Sequence, residues 1–291
     1  MVDIYIEGSK DETIWYAGSA FVVYEDNIRV CEKAWVTDIK DIESISNIGE
    51  AFAFIEALNF SLSKRYKAIR IHSSLDYIGN LVNKHKICLR KASEIKHALL
   101  KAVDDCSGIL LKALITHEKQ RKQDIRFQMC KEASMKVLYE KANEIEITSR
   151  FVLYTDGAYN PETGYYGAGV AIYDSEEGAF VDTIQWKDNK YSKSKKIAGC
   201  LLASMNAVEW CIDRKIYNDI TIVVAYLGAA SWVNDKWLPK GEMTKEYDKI
   251  MKKYMEEVNF TFRHRYRGHL DSNINKATKL AEEACGYVKY K

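Results

Sequence analysis

Proline is nearly missing from this chain, with two residues in 291, so no proline-rich linker separates its parts. Apolar runs are short. None approaches the ~20 residues that a membrane-spanning helix requires, and the opening MVDIYIEGSK carries Asp3 and Glu7 where a secretory leader is basic and then apolar. A cytoplasmic location with no membrane partner is the expectation. Cysteine pairing is lacking too: the seven cysteines are scattered and form no CxxC. An odd, scattered set suits reduced, mostly buried thiols and leaves no zinc site. Excess charge of one sign is small, a formal net of +2, which does not by itself announce a nucleic-acid binder, whose signature is clustered charge.

What is present points to ordinary globular cores. The length suits two domains, and 47% hydrophobic with 29% charged residues is a folded-protein balance. Charge does cluster locally. HEKQRKQDIRFQMCK places Lys119, Arg121, Lys122, Arg126 and Lys131 among two acids, and KDNKYSKSKK brings five lysines together before residue 197. Each run reads singly as a solvated loop. NFTFRHRYRGH alternates aromatics with Arg263, Arg265 and Arg267, so a strand here puts three guanidinium groups on one face. They suit either phosphate contacts or a charge-protected sheet edge.

An internal repeat organises the chain. VDIYIEGSK parallels FVLYTDGAY, a short strand ending in acid-Gly, Glu7-Gly8 against Asp156-Gly157. SNIGEAFAFIEALNF parallels KIAGCLLASMNAVEW, setting Glu50 against Cys200, and KAIRIHSSLDYIG parallels NDITIVVAYLGAA, setting either Ser74 or Asp76 against Ala225. His117 and a later helix parallel His269 and the helix INKATKLAEEACG. The offset stays near about 150 residues throughout. Each half therefore reads strand, strand, strand, helix, strand, helices, strand, helix: an α/β architecture of two domains in tandem, each a mixed five-stranded sheet flanked by helices. Leu201, Leu202, Met205 and Val208 make one helical stripe, and Ala277, Leu280, Ala281 and Ala284 another. The charged YEKANEIEITSR places the boundary near residue 148, giving domains 1–147 and 148–291.

YTDGAYN, YYGAGVAI, AGCLLASMNAVEW, AYLGAASWVNDKW, MTKEYDKIMKKY and RGHLDSNINKATKLAEEA follow one another through the second half. In that order they resemble type 1 ribonuclease H, in particular the bacterial branch that often carries a viroplasmin-like module, although that module is not what the N-terminus reads as. The first half resembles the same fold more weakly, through IYIEGS and GEAFAFIEAL. The resemblance implies a site in which an Asp on the first strand, a Glu on the first helix, an Asp after the fourth strand and an Asp on the last helix hold two divalent cations about 4 Å apart, cleaving the RNA of an RNA/DNA hybrid.

Carried over residue by residue, the second half keeps Asp156 but has Cys200, Ala225 and Thr278 at the other positions. Neutral residues do not replace carboxylates for magnesium, and a thiolate favours softer metals. The first half has Glu7 and Glu50, with Ser74 or Asp76 third and Ser134 fourth. A weakened metal set from Glu7, Glu50 and Asp76 is one reading, and ordinary surface carboxylates are the other. His117 and His269 stand where the family has a loop histidine. Asn160, with Pro161, is either a contact to substrate backbone or a plain turn. Trp237, Lys236 and Lys240, with Trp232, resemble the family's substrate-handling projection. The resulting expectation is a catalytically inactive tandem ribonuclease H-like protein that binds nucleic acid, an RNA/DNA hybrid or other duplex, with no cofactor or with Mg2+ or Mn2+ held weakly in the first domain. The alternatives are a weak hybrid-directed ribonuclease acting through the first domain, and a structural module for a protein partner of the kind degenerate ribonuclease H domains form in reverse transcriptases.

Overall fold

A computed structural model describes residues 1–11, 13–40, 47–84, 93–265 and 271–287. The chain divides into two compact units, Met1–Lys141 and Ala142–Lys291. In the first, β1 (Val2–Asp11), β2 (Tyr16–Glu25) and β3 (Ile28–Asp38) form an antiparallel meander. Helix α1 (Ile48–Ser63) crosses to β4 (Ala68–Ser73), which runs parallel to β1, and α2 (Asp76–Lys84) with α3 (Ser93–Asp105) leads to β5 (Leu110–Ile115), parallel to β4. The short α4 (Glu118–Arg121) and the long α5 (Ile125–Glu144) follow. The sheet order is β3-β2-β1-β4-β5.

The second unit repeats this plan. Strands β6 (Phe151–Tyr159), β7 (Tyr166–Asp174) and β8 (Ala179–Asp188) form the meander, and α6 (Lys196–Asp213) crosses to β9 (Ile220–Val224). Helices α7 (Leu227–Val233) and α8 (Glu242–Met255) precede β10 (Phe260–His264), and α9 (Ser272–Cys285) closes the unit. Its order, β8-β7-β6-β9-β10, matches that of the first sheet. Two mixed five-stranded sheets flanked by helices are the ribonuclease H-like arrangement expected from the motifs.

Strand alternation decides which helix each residue meets. In β1, Ile4 and Ile6 join Phe54 and Leu58 of α1 in one core, while Tyr5 packs edge-on against Phe127 of α5. In β6, Leu153 shares a core with Leu201 and Val208 of α6, while Val152 and Tyr154 lie with Ile274 and Ala277 of α9. Burying each such aliphatic side chain contributes roughly 1.5–3 kcal/mol. Glu7 and Asp156 lie in phase with Tyr5 and Tyr154, on the face covered by the last helix of each unit.

Glycine sets the height of the first helix above the sheet. A Cβ on Gly157 would stand 2.3 Å from the Cys200 backbone nitrogen, and one on Gly8 2.1 Å from that of Glu50. Only glycine allows this approach, which brings residue 200 against Asp156 and residue 50 against Glu7. The described cysteines other than half-buried Cys31 are buried and all are free thiols, and Cys88 lies outside the described residues. Among the described residues no helix is long and apolar enough to cross a membrane.

Candidate functional site

Asp156 has a full set of partners. It is 3% exposed. Its Oδ1 accepts from the Gly157 amide at 2.8 Å and from the Cys200 thiol at 3.4 Å. Its Oδ2 accepts from the Thr278 hydroxyl at 2.7 Å and from the Lys196 ammonium at 3.0 Å. Cys200 and Thr278, two of the neutral residues that the sequence comparison set at acid positions, therefore act as donors to Asp156. The third, Ala225, sits half-buried just past β9. Lys196 supplies the positive charge and lies one helical turn before Cys200 on α6, so both reach the same carboxylate. Burial is the largest single influence and works against the ammonium, but the charge and hydrogen bond of Asp156, with smaller contributions from its neighbours, together hold Lys196 above the ordinary lysine value. Burial, with Asp156 second, pushes the Cys200 thiol far up, so it remains protonated and is no thiolate ligand or nucleophile.

The first unit solves the same problem differently. Glu7 and Glu50 are both buried, and the Arg121 guanidinium donates to Glu7 Oε1 through Nε, at 2.9 Å, and through Nη2. Burial first, then the neighbouring Glu50, raises the Glu7 carboxyl to about 7 against the opposing pull of Arg121. Glu50 faces the end of β4. Its Oε1 accepts from Ser73 Oγ and the Ser74 amide, each at 2.7 Å, and its Oε2 from Ser74 Oγ at 2.6 Å.

That geometry corrects several sequence expectations. Ser74, not Asp76, is the residue beside Glu50, because the strand ends at Ser73 and Asp76 already opens α2 with its side chain exposed. The set of Glu7, Glu50 and Asp76 is therefore not assembled, and among the described residues no group of three or more His, Cys, Asp or Glu is placed to hold a metal ion. Neither site fits a magnesium pair: one carboxylate is bonded to an ammonium, one to a guanidinium, and the third is filled by serine donors. Ser134 does sit close by on α5, buried, 3.4 Å from Ser9 Oγ.

Asn160 is a structural residue. It is 5% exposed; its amide donates to the carbonyls of Cys285 and Gly286 at 3.1 and 2.9 Å, and its oxygen accepts from the Glu162 and Thr163 amides. Nothing remains for a substrate. Among the described residues the arginines do not share a face either. Strand β10 ends at His264, Arg263 is half-buried, and Arg265 turns inward, buried and 3.8 Å from Asp271. Arg267 and His269 lie outside the described residues, and His117 is exposed at the start of α4. Trp237 is exposed, 6.0 Å from Trp232 in an edge-to-face contact, and Lys236 and Lys240 are exposed too.

The sequence reading placed Lys196 and Arg121 in solvated basic runs and missed their contacts with the buried acids. For Lys196 a signal existed, since it precedes Cys200 by four residues in a helix. Arg121 had none, because its reach to Glu7 spans 114 residues.

No family model matches the sequence, and no curated protein matches it. Solved structures do. Ribonuclease H1 of Halobacterium salinarum shares 13% identity over 48% of this chain and 98% of its own, with a TM-score of 0.40. LC11-RNase H1, in a structure with an RNA/DNA hybrid, shares 16% over 47% of this chain and 99% of its own, at 0.37. The protease-reverse transcriptase of prototype foamy virus aligns with 99% of this chain, which spans 39% of that protein, at 13% identity and a TM-score of 0.40.

Proposed function

We propose that this chain is a catalytically silent ribonuclease H-like protein that binds nucleic-acid duplexes, an RNA/DNA hybrid among them, without a divalent metal. The observation that carries this reading is the Lys196 ammonium 3.0 Å from Asp156 Oδ2. A tethered cation neutralises Asp156, as a bound metal would, but offers no open coordination position and no activated water. Its side chain remains 55% exposed. It continues an exposed run of Lys187, Lys193 and Lys195. Phosphates approaching a lone, neutralised carboxylate meet little repulsion, and lysines of this kind supply sequence-independent affinity. Exposed Trp237 with Lys236 and Lys240 offers a stacking surface bordered by charge.

The test is a titration of labelled RNA/DNA hybrid in magnesium and in manganese, with duplex DNA and duplex RNA as competitors, resolved on native and denaturing gels. Retained hybrid with intact RNA is the expected result. Cleaved RNA that disappears in a Glu50→Gln variant would instead establish an enzyme working through the first unit. Absence of retention at low salt would reduce the protein to a structural module.

A further inference from the structure

A second feature of the Ala142–Lys291 unit has no part in the Asp156 site. Between the end of the β7–β8 hairpin and helices α6 and α8 lies a cavity of about 170 Å³. At ~30 Å³ per water, that is the volume of five or six waters, and a ligand of similarly few heavy atoms. Tyr166, Tyr191 and Tyr247 wall it, with Leu202, Met205 and Met243. Tyr166 and Tyr247 are fixed: both are buried in the core, and the Tyr247 hydroxyl is committed to the Ala229 carbonyl at 3.1 Å.

Two carboxylates, Asp188 and Glu246, stand at its rim with one cation, Lys190. The Lys190 ammonium lies 4.8 Å from the centre of the Tyr191 ring and 3.0 Å from both Glu246 oxygens, and the Tyr191 hydroxyl donates to the same carboxylate. A cation thus already uses the aromatic face and the acid together, as ring quadrupoles and anions do in ammonium-binding cages. The Asp188 carboxylate accepts the Asn189 and Lys190 amides and bonds the Tyr166 hydroxyl, so among the lining residues it has hydrogen-bond donors but no cation of its own. Lys190 is 55% exposed, and a long stem leaves it free to swing into water.

We propose that this cavity binds a compact organic cation of the quaternary ammonium type, with Lys190 as an internal competitor at its mouth. Such a guest needs no hydrogen bonds, which suits rim acids whose oxygens already accept from Asn189 and Lys190 amides, from Tyr191 and from Lys190. It gains from methionine methyls, ring faces and the surplus negative charge together.

The test uses the full chain labelled at methionine methyl groups, titrated by NMR with choline chloride and, at matched ionic strength, with 3,3-dimethylbutanol, the neutral isostere. Choline is expected to move the Met205 and Met243 signals saturably while the alcohol does not. Lys190→Ala is expected to tighten binding about threefold or more, and Tyr191→Ala to weaken it about three- to tenfold, the remaining methionine signals reporting an intact fold. No saturable movement, equal movement by the alcohol, or unchanged or weaker binding in Lys190→Ala overturns the proposal.

Discussion

Replacing Lys196 by methionine keeps most of the stem but removes the ammonium from Asp156, and the size of the effect follows from the geometry. Asp156 is 3% exposed and keeps three donors: the Gly157 amide, the Thr278 hydroxyl and the Cys200 thiol. What is lost is one charge-assisted hydrogen bond, worth roughly 1.5–3 kcal/mol when fully buried. Lys196 is half in water, and solvent screening lowers the loss to about 1–2 kcal/mol. For a unit of this size that is a fall in Tm of roughly 2–8 °C. Urea unfolding of wild type, Lys196→Met, Asp156→Asn and the double variant forms a cycle whose coupling energy is expected at about 1–2 kcal/mol. Magnesium is expected to leave the wild-type Tm unchanged, because the position of the cation is filled. Coupling near zero, or a magnesium-dependent rise of several degrees in the wild type, would refute the reasoning.

Three further outcomes are expected. Glu7 binds its proton more tightly folded than unfolded, because its carboxyl rises to about 7; its stabilising contribution is therefore present at low pH and is lost as pH climbs from the unfolded value near 4.5 toward 7, by about 3 kcal/mol at most. Urea unfolding between pH 4.5 and 8 should show this loss, and Glu7→Gln should flatten it; an unchanged slope in the variant would rule the mechanism out. Gly157→Ala drives a Cβ to 2.3 Å from the Cys200 nitrogen, a backbone atom that cannot step aside, and is expected to cost more than about 3 kcal/mol, readable as loss of the cooperative transition of that unit. Replacing Lys236 and Lys240 together by alanine should weaken hybrid binding and lower the slope of log K against log salt by about 2 if each meets one phosphate, while Trp237→Ala should weaken binding about tenfold with little change in that slope.

Much of the architecture was legible because it rests on short-range patterns. Alternation in VDIYIEG and FVLYTDG, helical stripes around Leu201 and Ala277, and their recurrence at one offset specify strands, helices and their order without reference to distant residues. That Cys200, Ala225 and Thr278 are neutral residues, at the positions where the resembled sequences carry acids, is a matter of residue identity and was equally readable. The third position of the first unit was not: Ser74 and Asp76 are two residues apart, and which one turns toward Glu50 depends on where the strand ends and α2 begins.

By itself, then, the sequence determined which elements form, in what order, and that Asp156 has neutral residues, not acids, at positions 200, 225 and 278. Only the tertiary structure decided how that acid and its counterpart are neutralised. Lys196 reaches Asp156 from another element, Arg121 crosses 114 residues to Glu7, Asn160 is consumed by carbonyls 125 and 126 residues away, and Arg265 turns inward just past its strand. Backbone pattern is a local property, set by residues two to four apart, whereas a buried charge takes whichever donor the packed chain brings within 3 Å or so. That choice exists only once the chain is folded.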